Sequence, residues 1–136
     1  MLLLKQRRGR GLTSPLTSAY YDNGGTFVVA VTRDTGQVVG VVGAQYKQTV
    51  DGRKLFQLRR MSIHSQARGL GVGGQLVHFL ESQLQDMSEM YLYCSNVQDP
   101  ARRLYHRLGF QITDSSDYRD WPRGFQVCRF EKRYDG

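Results

Sequence analysis

The sequence has few cysteines, few prolines and no long apolar run. Two cysteines in 136 residues provide neither a disulfide framework nor the ligand spacing of a zinc site, so we expect an intracellular, reducing compartment and no metal. Three prolines exclude a proline-rich low-complexity chain. No segment approaches the roughly 20 apolar residues that span a bilayer. The chain as given is therefore expected to be soluble.

Acidic residues are also scarce relative to basic ones. The 19 Lys and Arg against 12 Asp and Glu give a net charge of +7. Such a surplus favours an anionic partner, which is a nucleic acid, a membrane surface or a phosphorylated small molecule. A nucleic-acid-binding face interleaves aromatic residues with Lys and Arg, whereas most tyrosines and phenylalanines here lie in apolar-alternating segments. We therefore expect no nucleic acid as partner.

Hydrophobic periodicity and turn signals predict an α/β fold in the order β-β-β-α-β-α-β-β. The predicted strands are Thr26–Arg33, Gln37–Tyr46, Lys54–Ile63, Met90–Ser95, Phe110–Thr113 and Phe125–Lys132. The first three form an antiparallel meander, and only the strand–helix–strand unit from 54 to 95 makes a parallel step. Residues 1–25 are predicted to be a basic, partly disordered segment with a short helix, and residues 26–136 to be the domain.

Two helices are predicted from helical spacing and capping signals. Apolar residues recur from Val72 to Met87, which indicates about four turns. The second helix begins with Asp99 as N-cap, has Pro100 in its first turn and ends at Gly109.

A glycine-rich loop precedes the first helix. Residues Arg68–Gly74 read Arg-Gly-Leu-Gly-Val-Gly-Gly, and bare amides at a helix N-terminus favour an anion. A P-loop is excluded, because Gln75 follows where that motif requires Lys-Ser/Thr. The dinucleotide-binding pattern G-x-G-x-x-G is formally present, yet the loop follows a meander and not the first strand of a βαβ unit. Glycines that serve helix packing alone are a further alternative.

The same loop, written Arg68-x-x-Gly71-x-Gly73, resembles the acyl-CoA-binding loop of the GNAT superfamily of N-acetyltransferases. Asn96–Phe110 resembles a second motif of that superfamily, a helix that ends in Leu-Tyr-x-x-x-Gly-Phe. The resemblance covers residues 26–132. It implies a mixed, mostly antiparallel sheet whose central parallel strand pair splays to hold acyl-CoA, flanked by helices. The first strand and first helix of the superfamily are expected to be missing before Thr26.

Gly36–Gly43, Leu58–Ile63 and Val97-Gln98 are most similar to the camello-like branch, which includes cysteine-S-conjugate N-acetyltransferases. The resemblance implies an acyltransferase that moves an acetyl group from acetyl-CoA, its co-substrate, to a primary amine by direct attack. The expected acceptor is a small α-amine such as an amino acid or cysteine conjugate. The alternatives are a protein lysine or N-terminal acetyltransferase, and a non-catalytic acyl-CoA-binding or anion-binding domain.

Members of this branch often have a membrane anchor ahead of the domain, with the domain facing the cytosol. The resemblance therefore implies membrane attachment only through a segment absent from this chain. Whether the protein is a monomer or a homodimer stays open.

The resemblance also implies the site residues. Tyr105 matches the family's general acid, and a phenol with a pKa of about 10 donates a proton without being ionised at pH 7; a core aromatic role is the alternative. The backbone of Met61–Ile63 is implied to hold the pantetheine arm and to offer an N–H to the oxyanion. The expected cofactor-binding residues are Met61, Ser62, Ile63, Arg68, Gly69, Leu70, Gly71, Val72, Gly73, Gly74, Asn96 and Tyr105.

No general base is evident, because the third predicted strand carries no carboxylate. Deprotonating an α-amine at pH 7 costs about 1.4 kcal/mol, against about 4.6 kcal/mol for a lysine, so a site without a strong base favours an α-amine. Arg59 and Arg60 are predicted to point to opposite faces of their strand, so that at most one meets the acceptor. That arginine either pairs with an acceptor carboxylate or is solvated.

The remaining residues that could take part in the reaction or in binding also have a structural interpretation. His64 is the histidine best placed to help, although a surface role is commoner. His78 and His106 are expected to be structural or solvated, and Cys94 to be a buried apolar residue. The arginines of the second helix form either a solvated face or a contact for the 3′-phosphate of CoA; these are Arg102, Arg103 and Arg107.

Overall fold

A computed structural model describes residues 2–6, 24–84, 86–117 and 125–134. The strands are β1 (Leu2–Gln6), β2 (Thr26–Thr32), β3 (Val38–Val50), β4 (Arg53–Ile63), β5 (Glu89–Ser95), β6 (Gln111–Asp117) and β7 (Gln126–Arg133). The helices are α1 (Val72–Gln83) and α2 (Asp99–Arg107), and a short 3-10 helix covers Ser65–Ala67.

These strands form one sheet in the order β1-β2-β3-β4-β5-β7-β6. Strands β4 and β5 pair in parallel, and every other neighbouring pair in the described sheet is antiparallel. The predicted α/β fold, with one parallel pair in a mostly antiparallel sheet, is therefore confirmed.

Strand β1 is the main departure from the predicted order. It pairs antiparallel with β2, with Leu2 opposite Thr32 and Gln6 opposite Val28. The expectation that a first strand is missing before Thr26 is therefore wrong. The three consecutive leucines of this segment lack the alternation of apolar and polar residues that predicts a strand, so the sequence pattern alone does not indicate one. The short helix predicted within residues 1–25 lies outside the described residues.

Several boundaries differ from the prediction for local reasons. Strand β3 continues to Val50 because Asp51 and Gly52 both adopt positive φ, 52° and 78°, which is the geometry of a tight two-residue hairpin turn. Helix α1 ends at Gln83 because Leu84 leaves the helical backbone, with φ −119° and ψ 75°. The N-cap of α2 is Gln98, one residue before the predicted Asp99.

The main core lies between the sheet and the helices. From α1, Leu76, Val77 and Leu80 are fully buried, as the helical spacing predicts. They belong to one cluster with side chains of β2, β3, β4, β5 and β7 and with Tyr105 of α2. Burying a leucine stabilises the fold by about 1.5–3 kcal/mol, so this face fixes α1, and with it the glycine loop, against the sheet.

The parallel pair β4–β5 is short, and this opens the sheet. Residues Leu55–Gln57 pair with Glu89–Tyr91, and beyond them the two strands no longer pair. A bulge on β4 accompanies the separation: Arg60 has a φ of 62°, and the register against β3 shifts there. The C-terminal ends of β4 and β5 therefore border a gap in the middle of the sheet.

Candidate active site

Two cavities meet at the open end of the β4–β5 pair. The loop cavity, about 700 Å³, lies between the glycine loop, the end of β4 and α2. The gap cavity, about 430 Å³, lies between the separated strands. Met61, Ala101 and Tyr105 line both cavities. The two cavities are therefore adjacent at Tyr105.

The N-terminus of α1 opens into the loop cavity without a cap. Its N-cap is Gly71, which makes no side-chain hydrogen bond, and the first turn holds no acidic residue. The first helical amide with a partner is that of Gln75, which donates to the Gly71 carbonyl at 3.1 Å. Within the described ranges, the amides of residues 69–74 donate to nothing. Their partial positive charge is free to bind an anion.

The glycines of this loop do not serve packing alone. Gly69 and Gly71 adopt φ of +81° and +77°, and an added Cβ at either would meet nothing within 4 Å. Their backbone conformation is what requires glycine. Gly73 does have a packing role, since an added Cβ would lie 2.8 Å from Leu104 Cδ2.

Most of the residues predicted to hold the cofactor line the loop cavity. Two do not. Leu70 is 69% exposed, and it does not face the cavity. Asn96 ties β5 to β7, because its Oδ1 accepts a hydrogen bond from the Gln126 amide at 3.1 Å. The predicted residues that line the cavity are Met61, Ser62, Ile63, Arg68, Gly69, Gly71, Val72, Gly73, Gly74 and Tyr105.

The Tyr105 ring belongs to the core, while its hydroxyl remains accessible. The residue is 6% exposed, and its ring packs against Phe110 and Phe130, each at 5.9 Å between centroids. The hydroxyl has no hydrogen-bond partner in the described part of the chain and keeps some accessible surface. Burial, with a smaller contribution from nearby Cys94, raises the pKa of Tyr105 to about 12. The phenol is therefore protonated at neutral pH.

Both arginines of β4 line the gap cavity. They are two of five consecutive β4 residues, 57–61, that border it. The left-handed backbone of Arg60 and the register shift against β3 mark a bulge, at which the regular alternation of the strand is interrupted. Arg59 also donates from Nη1 to Gln45 Oε1 at 3.2 Å. No carboxylate or imidazole of the described residues lines this cavity.

The histidines have contacts away from both cavities. His64 accepts a hydrogen bond at Nδ1 from the Gln66 amide at 3.2 Å and so caps the 3-10 helix. The His78 Nδ1 lies 3.3 Å from a Glu81 carboxylate oxygen. His106 packs its ring edge on Phe130.

Cys94 lies in the wall of the gap cavity. It is buried, as expected, and burial raises the pKa of its thiol. A raised pKa disfavours the thiolate, which is the nucleophilic form.

One face of α2 completes the loop cavity; its arginines were expected to be either solvated or in contact with CoA, and Pro100 and Leu104 were not among the expected binding residues. Pro100, Arg103, Leu104 and Arg107 line the cavity, and their spacing of three, four and seven residues is the signal that places them on one helix face. Arg102 does not line it; its Nη1 lies 3.5 Å from the Asn96 carbonyl.

Comparison with known proteins gives one consistent result. Residues 23–112 match the family model of the acetyltransferase (GNAT) domain. The chain is 39% identical over 101 residues to N-acetyltransferase family 8 member 2 of Rattus norvegicus, covering 72% of this chain and 44% of that protein. It is 36% identical over 107 residues to N-acetylaspartate synthetase of Danio rerio, covering 74% and 36%. The chain thus spans less than half the length of these relatives.

Solved structures share the fold. NAA60 of Arabidopsis thaliana, in complex with a bisubstrate analogue, superposes with a TM-score of 0.73 at 16% identity, covering 98% of both chains. A putative streptothricin acetyltransferase from Bacillus anthracis, in complex with acetyl coenzyme A, has a TM-score of 0.70 at 16% identity, covering 85% and 68%. The predicted resemblance, including its camello-like branch, is confirmed. Neither described helix has the length and apolar character needed to cross a bilayer.

Proposed function

Because the chain belongs to the GNAT family of acetyltransferases, we propose that it transfers an acetyl group from acetyl-CoA directly to a primary amine. The observation that carries the proposal is the meeting of the two cavities at Tyr105. One cavity offers unpaired amides to an anionic nucleotide, and the other offers polar side chains to an acceptor. Direct attack needs both substrates bound together in a fixed geometry, and a shared wall suits that need.

The loop cavity fits the chemistry of acetyl-CoA. Its pyrophosphate is expected to accept hydrogen bonds from the amides of residues 69–74, with Arg68 balancing charge at the start of the loop. Beyond Gln57, the edge of β4 that faces β5 has no strand partner among the described residues. The backbone of Met61–Ile63 is therefore available to the amide groups of the pantetheine arm, in the manner of an added strand.

The same strand end supports the chemical step. Attack of a neutral amine on the thioester places negative charge on the carbonyl oxygen, which a preorganised backbone N–H stabilises. The attacking nitrogen gives up its proton to water, which relays it, and the C–S bond breaks to release the CoA thiolate. An unpaired N–H within Met61–Ile63 is the simplest donor. The acetyl group then lies where β4 and β5 separate, at the carboxyl ends of parallel strands, where ligands bind in open α/β sheets.

Tyr105 is proposed to assist the departure of the CoA thiolate. Its hydroxyl has no other partner among the described residues, and its pKa of about 12 keeps it protonated. A thiol has a pKa of about 8.5, so complete proton transfer from the phenol is unfavourable. The hydroxyl therefore acts first by donating a hydrogen bond to the developing thiolate, as a general acid whose proton is only partly transferred.

The acceptor is proposed to be a small α-amine that carries a carboxylate. Arg59 and Arg60 both line the gap cavity, and a guanidinium pairs with a carboxylate through two parallel hydrogen bonds. Two nearby cations also lower the pKa of a bound ammonium, which favours the neutral nucleophile. The name of one relative, N-acetylaspartate synthetase, supports an amino-acid acceptor.

The test compares Tyr105→Phe with Tyr46→Phe, which removes an exposed hydroxyl that bonds Thr49 and lines neither cavity. Turnover is measured with acetyl-CoA and four amines: a free amino acid, an S-conjugated cysteine, a peptide N-terminus and a peptide lysine. We expect Tyr105→Phe to lower kcat by about 100-fold or more at unchanged acetyl-CoA affinity, and Tyr46→Phe to change neither. Full turnover by Tyr105→Phe contradicts the role of the hydroxyl. Faster acetylation of lysine contradicts the acceptor, and binding without any turnover contradicts acetyl transfer.

The pH profile offers a second measurement. The rate is expected to rise as the acceptor amine deprotonates near pH ~8 and then to stay level to about pH 11, because burial raises the pKa of Tyr105 to about 12. The hydroxyl remains protonated over that whole interval. A decline centred near pH ~10, the ordinary value for tyrosine, shows that a phenol with an unshifted pKa limits the reaction.

A further inference from the structure

Two arginines that line the loop cavity have no ion-pair partner among the described residues. Arg103 and Arg107 lie one helical turn apart on α2, and both line the cavity. Both are exposed, and neither forms an ion pair with any described residue. Their shared face and free guanidinium groups leave them available to an anion in that cavity.

The contacts of α2 place this pair beside the glycine loop. Leu104, which lies between the two arginines in sequence, approaches Gly73 so closely that an added Cβ there would be 2.8 Å from its Cδ2. The arginine face of α2 is therefore next to the uncapped end of α1. The pyrophosphate of CoA already has the amides of residues 69–74 and Arg68 on its own side of the cavity.

CoA carries another anionic group close to its pyrophosphate, namely the 3′-phosphate on the ribose. A phosphate monoester is close to a dianion at neutral pH, and planar guanidinium groups bind its oxygens through paired, charge-assisted hydrogen bonds. Two arginines four residues apart match the charge of that group, and the pyrophosphate does not require them.

We propose that Arg103 and Arg107 bind the 3′-phosphate of CoA and so make the protein select CoA over its 3′-dephosphorylated form. The inference rests on the proposed acetyl-CoA-dependent function. It separates the arginines of α2 into two kinds, because Arg102 turns instead toward the Asn96 carbonyl and Asp99. The pair determines which nucleotide carrier is accepted and takes no part in the acetyl transfer.

The experiment measures binding of CoA and dephospho-CoA to the whole chain by calorimetry at about 0.15 M salt, where long-range attraction is screened. The variants are the double substitution Arg103→Gln/Arg107→Gln and the control Arg33→Gln. Arg33 is exposed in the turn between β2 and β3 and lines neither cavity. Thermal unfolding of each variant checks that the fold is kept.

We expect the unsubstituted chain to prefer CoA by about 10-fold, which corresponds to one hydrogen-bonded charge pair. The double variant should bind both ligands as weakly as the unsubstituted chain binds dephospho-CoA, and Arg33→Gln should retain the preference. Equal loss of both ligands in the double variant overturns the proposal, because the arginines then bind the pyrophosphate. Equal binding of both ligands by the unsubstituted chain also overturns it, while the proposed function stands. Binding of neither ligand contradicts the proposed function itself.

Discussion

Both described helices have the positive end of their dipole at the N-terminus, but the residues around the two N-termini differ. Helix α1 begins at a glycine without a capping side chain, and its first turn has no acid. Helix α2 begins with Asp99 and Pro100. The carboxylate balances the positive end of that helix, and proline has no N–H to satisfy. Neither N-cap, Gly71 or Gln98, makes a capping side-chain hydrogen bond. The difference therefore lies in the first turn, which has an acid and a proline in α2 and neither in α1.

The helix dipole therefore has a different role in each of the two helices. At α2, the helix dipole is balanced by the chain's own residues and contributes to stability. At α1, the same dipole is left for a ligand, and the glycines that expose the amides weaken the helix. Glycine inside a helix costs about 0.5–1 kcal/mol relative to alanine. Gly74 is therefore expected to weaken α1, whereas Gly73 is also required for the close approach of Leu104.

The largest expected effect comes from neutralising the end of α1. Gly74 has room for a side chain, since an added Cβ would lie 4.0 Å from Leu108 Cδ2. Gly74→Glu should lower acetyl-CoA affinity by about 100-fold, because its carboxylate opposes the pyrophosphate at the open amides. The uncharged control Gly74→Ala should bind nearly as well. Both variants should gain about 0.5–1 kcal/mol in the free energy of unfolding. Calorimetry and urea unfolding measure the two effects, and equal affinities for the two variants would contradict the electrostatic account.

A smaller effect is expected at the other end of α2. Gly109 follows this helix with a φ of +94°, and an added Cβ would lie 3.4 Å from Lys132 Cε. Gly109→Ala should lower the free energy of unfolding by about 1–2 kcal/mol, because an L-residue is strained in the left-handed conformation. Asparagine tolerates that conformation better, so Gly109→Asn is the matched control. If both variants unfold like the unsubstituted chain, the left-handed strain at this position is negligible.

The smallest effect is expected at the N-terminus of α2. Asp99→Asn removes the negative charge from the first turn and weakens a 4.0 Å pair with Arg102. The free energy of unfolding should fall by about 0.3–1 kcal/mol, while acetyl-CoA affinity should stay the same. A drop in affinity as large as that of Gly74→Glu would mean that both helix ends bind the ligand, and the contrast between them would be lost.

The features readable from the sequence are those that depend on neighbours in the chain. The glycine loop, the amphipathic face of α1 and the turn at Asp51-Gly52 are each encoded within a few residues. Strand β1 is different, because it is held by the partner residues of β2 and its leucine run has no period of its own. Its place at the sheet edge depends on tertiary pairing.

The candidate site also has one part that the sequence predicts and another that only tertiary packing produces. The loop cavity follows from a contiguous motif, although the arginine face of α2 is added by packing against Gly73. The gap cavity joins residues of β4, β5 and α2, and no local pattern brings those segments together. The bulge at Arg60 interrupts strand alternation, so the alternating pattern alone does not predict how Arg59 and Arg60 border the gap cavity.

The short β4–β5 pairing has a mechanical consequence for the whole molecule. The half of the sheet made of β1–β4 is paired with the half made of β5–β7 over only three residue pairs. We therefore expect the sheet to flex most easily along this boundary. A bound ligand whose own amide groups lie along this boundary would connect the two halves and make the sheet more rigid there. Amide hydrogen exchange along the facing edges of β4 and β5 should therefore slow when acetyl-CoA is added, more than it does in the outer strands.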